Sequence, residues 1–250
     1  MDSPGYVVLS RLALQPRAIE LLAHNIANAD TPGFHAGRMV FTAHLDRQRG
    51  VAAPPGGEAV AYAQDRASWR DTAPGPIERT GNPLDIAIAG EGFFAVETPR
   101  GERYTRAGRF SLDAERRVVD MEGNAVLDAE GRPIVVAAGD TRLEVLGDGT
   151  LRSENGVIAR LRIVRFEDPQ RLLAEGDRLF AAPAAAPPLP VENPRLVQGA
   201  VEGSNVRPVV ELTRLMAGLR EFQFAAQFAE REGERLGTAV ERILRRRGNA

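Results

Sequence analysis

Over residues 208–246 the chain repeats apolar or small side chains at alternating spacings of three and four: Leu212, Leu215, Leu219, Phe222, Ala226, Ala229, Gly233, Leu236, Val240 and Ile243. This heptad-type seam predicts one long helix that packs against another helix. The start and stop signals agree with the periodicity. Pro208 suits a first helical position, Ser204 and Asn205 precede it with turn or cap chemistry, and Gly248 follows a basic last turn at Arg245, Arg246 and Arg247. At about 1.5 Å per residue such a rod is roughly 58 Å long, more than a compact domain of this size needs. A second seam at Leu9, Leu12, Pro16, Ile19, Ala23 and Ile26 predicts an N-terminal helix over about 4–29. It is the natural partner of the first, with Pro16 removing one backbone bond and introducing a kink. The run Asn28-Ala29-Asp30-Thr31-Pro32-Gly33 ends it, because the residue before a proline avoids the helical region and glycine is free to turn left-handed.

Between the helices the pattern changes. Residues 34–69 are poorly patterned, and the Pro/Gly-rich piece at 51–57 reads as an exposed loop tip. From 70 onward, short apolar runs at 84–88, 93–96, 104–106, 110–112, 118–119, 125–127, 134–136 and 161–166 alternate with clusters of Asp, Glu, Asn, Pro and Gly. A hairpin is expected around Gly147-Asp148-Gly149. Short strands with a turn after each predict an antiparallel β domain, whose turn acids bond their own backbone. The Ala/Pro-rich stretch 181–194 is expected to return as a semi-extended linker with little core of its own. The expected organisation is therefore α+β: an N-terminal helix (1–33), an extended linker (34–69), a central all-β antiparallel domain (70–180), a return linker (181–207) and a C-terminal helix (208–250). The two terminal helices are expected to pair as a coiled coil.

Composition removes most chemistry. The chain has 250 residues, 43% hydrophobic and 26% charged, enough for one sizeable core or two small ones. A net charge of -2 gives no general pull toward nucleic acid, although every basic side chain is Arg and none is Lys. With no cysteine there is neither disulfide nor thiol nucleophile. His24, His35 and His44 stand in no metal-ligand pattern, and no phosphate-cradling or nucleophile-elbow motif is present. The aromatics are too scattered for a base-stacking platform. We therefore expect no catalytic residue, metal or cofactor, no nucleic-acid partner and no small-molecule substrate. No signal-peptide pattern opens the chain, and no segment approaches the ~20 apolar residues of a membrane span.

Three stretches resemble the flagellar rod and hook family of axial proteins. The first is Ala23-His24-Asn25-Ile26-Ala27-Asn28-Ala29-Asp30-Thr31-Pro32-Gly33-Phe34-His35. It is similar to the family's signature of asparagines followed by Thr-x-Gly-Phe and a basic residue, with His24 in place of a second asparagine and His35 in place of Lys or Arg. The second is Thr80-Gly81-Asn82-Pro83-Leu84-Asp85-Ile86-Ala87-Ile88-Ala89-Gly90-Glu91-Gly92-Phe93-Phe94-Ala95-Val96, continuing through Tyr104-Thr105-Arg106-Ala107-Gly108-Arg109-Phe110-Ser111-Leu112-Asp113. Arg116 follows where the family usually has a turn glycine. The third is Gly199-Ala200-Val201-Glu202-Gly203-Ser204-Asn205-Val206-Arg207-Pro208, leading to Arg220-Glu221-Phe222, with Arg207 replacing a common Asn or Asp.

The resemblance implies a non-enzymatic subunit of the bacterial flagellar basal body, most similar to the proximal-rod type, with distal-rod and hook types as alternatives. It implies export through the flagellar type III apparatus without a cleaved signal peptide, and assembly in the periplasm with other copies and neighbouring rod proteins. The paired terminal helices (the D0 domain) would line the tube, with the β domain (D1) outward. The expected assembly interface is Leu9, Leu12, Ile19, Ala23, Asn25, Ile26 and Asn28 with Leu212, Leu215, Leu219, Phe222, Ala226, Ala229, Leu236, Val240 and Ile243. Two competing readings are a closed coiled-coil oligomer acting as a binding module, and a secreted β-domain enzyme. The enzyme would need a pocket of converging carboxylates that the sequence does not nominate.

Overall fold

A computed structural model of the chain describes residues 3–46, 60–176 and 178–248. They fall into two compact units, one of Met1–Ala27, Gly37–Trp69 and Arg207–Ala250 and the other of Asn28–Ala36 and Arg70–Val206. The fold is α+β, two long helices and a mostly antiparallel β region.

The first unit holds helices α1 (Ser3–Ala27) and α2 (Pro208–Gly248). Helix α2 opens at the expected proline, and the Arg207 carbonyl accepts from the N–H groups of Val210 and Glu211. Helix α1 runs without interruption through Pro16, which sits on its exposed side. The two lie side by side and antiparallel: Gln15 Nε2 donates to the Gly218 carbonyl at 3.2 Å, and Asn25 Nδ2 lies 3.5 Å from Glu211 Oε2. The linker expected at 34–69 is largely something else. Gly37–Asp46 and Val60–Arg70 are paired strands. The alternation Met39, Phe41, Ala43, Leu45 is the period-2 signal that the ragged composition around it obscured. The loop tip expected at 51–57 lies outside the described residues.

The second unit is built on the hairpin Phe93–Thr98 and Gly101–Thr105, with Ala95 opposite Tyr104. Ala125–Val126, Val118–Val119 and Ser111–Leu112 extend the sheet on one side, and Phe180–Ala181 and Leu173–Ala174 on the other. Its central strand is covered on both faces. Phe94 and Val96 enter one apolar cluster with Phe110, Val126, Ile134 and Leu151, whereas Ala95 belongs to a second with Tyr104, Phe166 and Phe180. Phe94 meets Phe110 edge-on at 5.0 Å, and Tyr104 meets Phe166 at 4.9 Å. The expected hairpin is present as Glu144–Val145 with Thr150–Ser153, extended by Gly156–Arg160.

Two boundaries differ from the expectation. The return stretch is not a linker. Leu189–Pro190 pairs with Ile163–Arg165, Leu196–Gln198 with Ile86–Ile88, and Ala200–Glu202 with Ile77–Arg79. Leu196, Ala200 and Val201 are buried. The strands are short enough for the prolines to fall between them or on an edge, where no N–H is required. At the other end, 28–36 belongs to the β unit instead of to the helix that precedes it. The Gly33 N–H donates to the Glu202 carbonyl at 2.7 Å, and the Asp71 N–H to that of Ala36 at 2.8 Å.

Turn chemistry follows the sequence. Asp120 accepts from the N–H groups of Glu122 and Asn124, and Asp128 from those of Glu130 and Arg132. Arg116 occupies its glycine-like position with φ 61°. Its guanidinium donates to the carbonyls of Val136 and Asp140 at 3.0 and 2.8 Å, which offsets the backbone strain. Gly108 is required by contact: a Cβ there would stand 1.7 Å from the Ile86 carbonyl oxygen. Gly108→Ala is therefore expected to destabilise the chain by about 3 kcal/mol or more. Gly233→Ala, in open space on α2, is expected to stabilise it by up to about 1 kcal/mol. Urea unfolding of the two variants checks both signs.

Candidate assembly surfaces

Helix α2 is covered along Glu211, Leu215, Gly218, Phe222, Ala225, Ala229 and Glu232, again at spacings of four and three. The inward seam thus shares Leu215, Phe222 and Ala229 with the expected one, while its alternate positions fall one residue earlier. The expected Leu212, Leu219 and Ala226 are exposed, Leu212 at 53% and Leu219 at 39%. On α1, Leu12, Ile19 and Ile26 are half-buried, Ala23 is exposed and Asn25 is buried; Asn28 is half-buried in the turn after the helix. Leu9, Leu236, Val240 and Ile243 lie on the helices, but their side chains fall outside those described.

With about 100° of turn per residue, the apolar residues left outside form two unlike flanks. Leu212, Met216 and Leu219 lie roughly a quarter-turn to one side of the seam, and Val210, Phe224 and Phe228 roughly a third of a turn to the other. All six are exposed, Phe224 at 70%, as is Val209 in the first turn at 78%.

Polar ties close each unit. In the helical unit, the Asn25 amide bonds both backbone groups of Gly37, Nδ2 to the carbonyl and Oδ1 from the N–H, each at 2.9 Å. The buried carboxylate of Glu211 accepts from Arg38 at 2.6 Å and Arg214 at 2.9 Å. In the β unit, Glu202 is 1% exposed. Its carboxylate takes Arg106 Nε at 2.8 Å, His35 Nε2 at 3.1 Å and the Gly75 N–H at 3.1 Å. Arg106 Nη1 donates to the carbonyls of Gly90 and Gly92, at 2.9 and 2.6 Å, and Nη2 to that of Ile88 at 3.4 Å. Asn205, expected as cap chemistry, instead takes the Ala36 N–H and donates to the carbonyls of Asp71 and Ala73. Gly33 is forced here too: it has φ 69°, and a Cβ would lie 2.5 Å from the Ala107 nitrogen. Sequence reasoning quoted Arg106 and Glu202 only as parts of longer motifs. The one local signal was a lone charge inside the small apolar run Ala200-Val201-Glu202-Gly203.

Among the described residues no group of three or more His, Asp or Glu could hold a metal ion, and no helix is long and apolar enough to cross a membrane.

Three family profiles match these same parts: "Flagella basal body rod protein" over residues 6–35, "Flagellar hook protein FlgE/F/G D1 domain" over 87–153, and "Flagellar basal body rod FlgEFG protein C-terminal" over 197–242. The flagellar basal-body rod protein FlgF of Caulobacter vibrioides is 34% identical over 97% of this chain and 98% of its own. The chain belongs to the flagellar basal-body rod family. It is a structural subunit, as its relatives are, and not an enzyme. FlgF of Rhizobium meliloti is likewise 34% identical over 97% of the chain and 98% of the relative. The rod protein FlgG of Agrobacterium fabrum is 31% identical over 84% of the chain and 87% of the relative. The rod-protein profile over 6–35 thus spans Asn25, Gly33 and His35, three of the residues in the contacts described above.

Burial pushes the Glu202 carboxyl up, but the His35 bond, the Arg106 charge and the Gly75 N–H outweigh it and hold the group below its ordinary value. A folded value below the unfolded one gives stability that is complete above the unfolded value and fades as pH falls through the folded one. Glu202→Gln is expected to lose about 3 kcal/mol near pH 7. Below the ordinary glutamate value of 4.5 its stability should fall less steeply than that of the native chain. Urea unfolding as a function of pH measures both.

Proposed function

We propose that the chain is a FlgF-type subunit of the proximal rod, whose paired terminal helices act as a coiled-coil-like D0 domain. The observation that carries this reading is the pair of unlike apolar flanks on α2. One face of that helix is met by α1 of the same chain, and the two flanks remain for neighbours. A surface that meets a different surface on the next copy generates rings or open helical growth, whereas a surface that meets itself closes as a dimer. Leu212, Met216 and Leu219 of one copy seat against the Phe224 side of the next, with Asn28 beside the joint and Asn25 acting only within its own chain. Torque passes through this stacked helix packing, with other copies and adjoining rod proteins as partners.

The subunit would be exported by the flagellar type III apparatus, without a cleaved signal peptide, and assembled in the periplasm. The FlgF type is favoured over the FlgG type by coverage, since the FlgF relatives align over 97% of the chain and the FlgG relative over 84%. Leu212→Asp and Phe224→Asp change exposed positions, so each should alter unfolding stability by no more than about 0.5 kcal/mol. Each is expected to abolish incorporation into purified basal bodies and motility of the complemented strain. Normal incorporation of both variants overturns the reading; a soluble oligomer of fixed small size would favour the closed coiled coil instead.

A further inference from the structure

The apolar part of the α1–α2 seam is a weak guide to register. On α2 its positions include Gly218, Ala225 and Ala229, small residues that leave the middle of the seam shallow. A pair slipped by one heptad, about 10 Å along the axis, would keep a small residue where Gly218 stood and a large one where Leu215 stood, and would lose packing only where Ala229 takes the place of Phe222. The polar members of the seam do not slip so easily. Asn25 and Glu211 are each 0% exposed, opposite one another where α1 ends and α2 begins. Glu211 takes Arg38 and Arg214 on Oε1 and faces Asn25 with Oε2, while Asn25 clamps both backbone groups of Gly37.

We propose that Glu211, Asn25 and Arg38 form a register pin, which fixes how α1 and α2 of one chain align and rejects heptad-slipped pairing. Only the native alignment supplies the Glu211 carboxylate with a donor from α1 and one from the strand beginning at Gly37. In a slipped pair the charge is buried with Arg214 alone, or must be dragged into water by unwinding the first turn of α2. A lone polar residue at a seam position fixes register in the same way, at some expense in stability. This inference rests on the contact within one chain and not on the rod assembly, so each can fail without the other.

The test is a distance between spin labels on the full chain, which has no cysteine of its own. Labels go on Glu20→Cys and Arg220→Cys, both exposed. The native background is expected to give one narrow distance. Glu211→Gln should raise the ratio of slipped to native pairs at least about tenfold, and the apolar triple N25L/R38M/E211L about a hundredfold or more, as peaks displaced from the native distance by up to about 10 Å. The triple is expected to keep its helix content, with a melting temperature below the native one because Gly37 loses both of its Asn25 bonds. Leu215→Ala separates register from mere stability: it should lower the melting temperature and leave the single distance in place. If the triple loses its helix content, the Glu211→Gln distances decide. A single unshifted distance in Glu211→Gln, or the absence of a single distance in the native background, overturns the proposal.

Discussion

Each unit of this protein is closed by a buried glutamate that comes late in the chain and holds a residue that comes early. Glu202 binds His35 across a separation of 167 residues, and Glu211 faces Asn25 across 186. An arginine completes each tie, Arg106 in the β unit and Arg38 in the helical one. Closing loops of that length is entropically unfavourable, though the penalty grows only slowly with length. A carboxylate with no exposure to water tolerates no half-formed partner set, because the uncompensated charge would be far more destabilising than the lost bonds. The ties therefore form together with the units they close.

That arrangement explains why so little of the chain behaves as linker. The return stretch supplies Leu196, Ala200 and Val201 to the interior before delivering Glu202, and the turn after α1 delivers Gly33 and His35 to the same place. Helix α2 then leaves with one face met by α1 and two apolar flanks exposed. For a monomer those flanks would be an aggregation hazard. In the proposed rod assembly they are the surfaces that pack against neighbours.

The sequence was informative where the signal is local. Short apolar runs between turn clusters located strands within 84–88, 93–96 and 118–119, turn aspartates predicted their own backbone bonds, and Pro208 opened α2 where expected. It was silent where the partner is distant. An apolar-only pattern placed Leu212 and Leu219 in one seam with Leu215 and passed over Glu211, whose charge is held in the interior by Arg214 and by Arg38, the latter 173 positions away. Residues 28–36 and 196–202 looked like a helix end and a linker because single long-range backbone bonds in the first and short strand pairings in the second leave no periodic trace in so few residues. Only the family resemblance drew attention to those stretches, and it did so without giving the physical reason.

Hydrogen exchange at two glycine amides tests the central claim most directly, since Gly33 N–H is bonded to the Glu202 carbonyl and Gly37 N–H to Asn25 Oδ1. If the ties are part of the cooperative units, Gly33 should open with the same free energy as Ala95 in the central strand, and Gly37 with that of Leu215 in α2. Exchange of Gly33 and Gly37 at nearly unprotected rates, while Ala95 and Leu215 stay protected, would contradict the account.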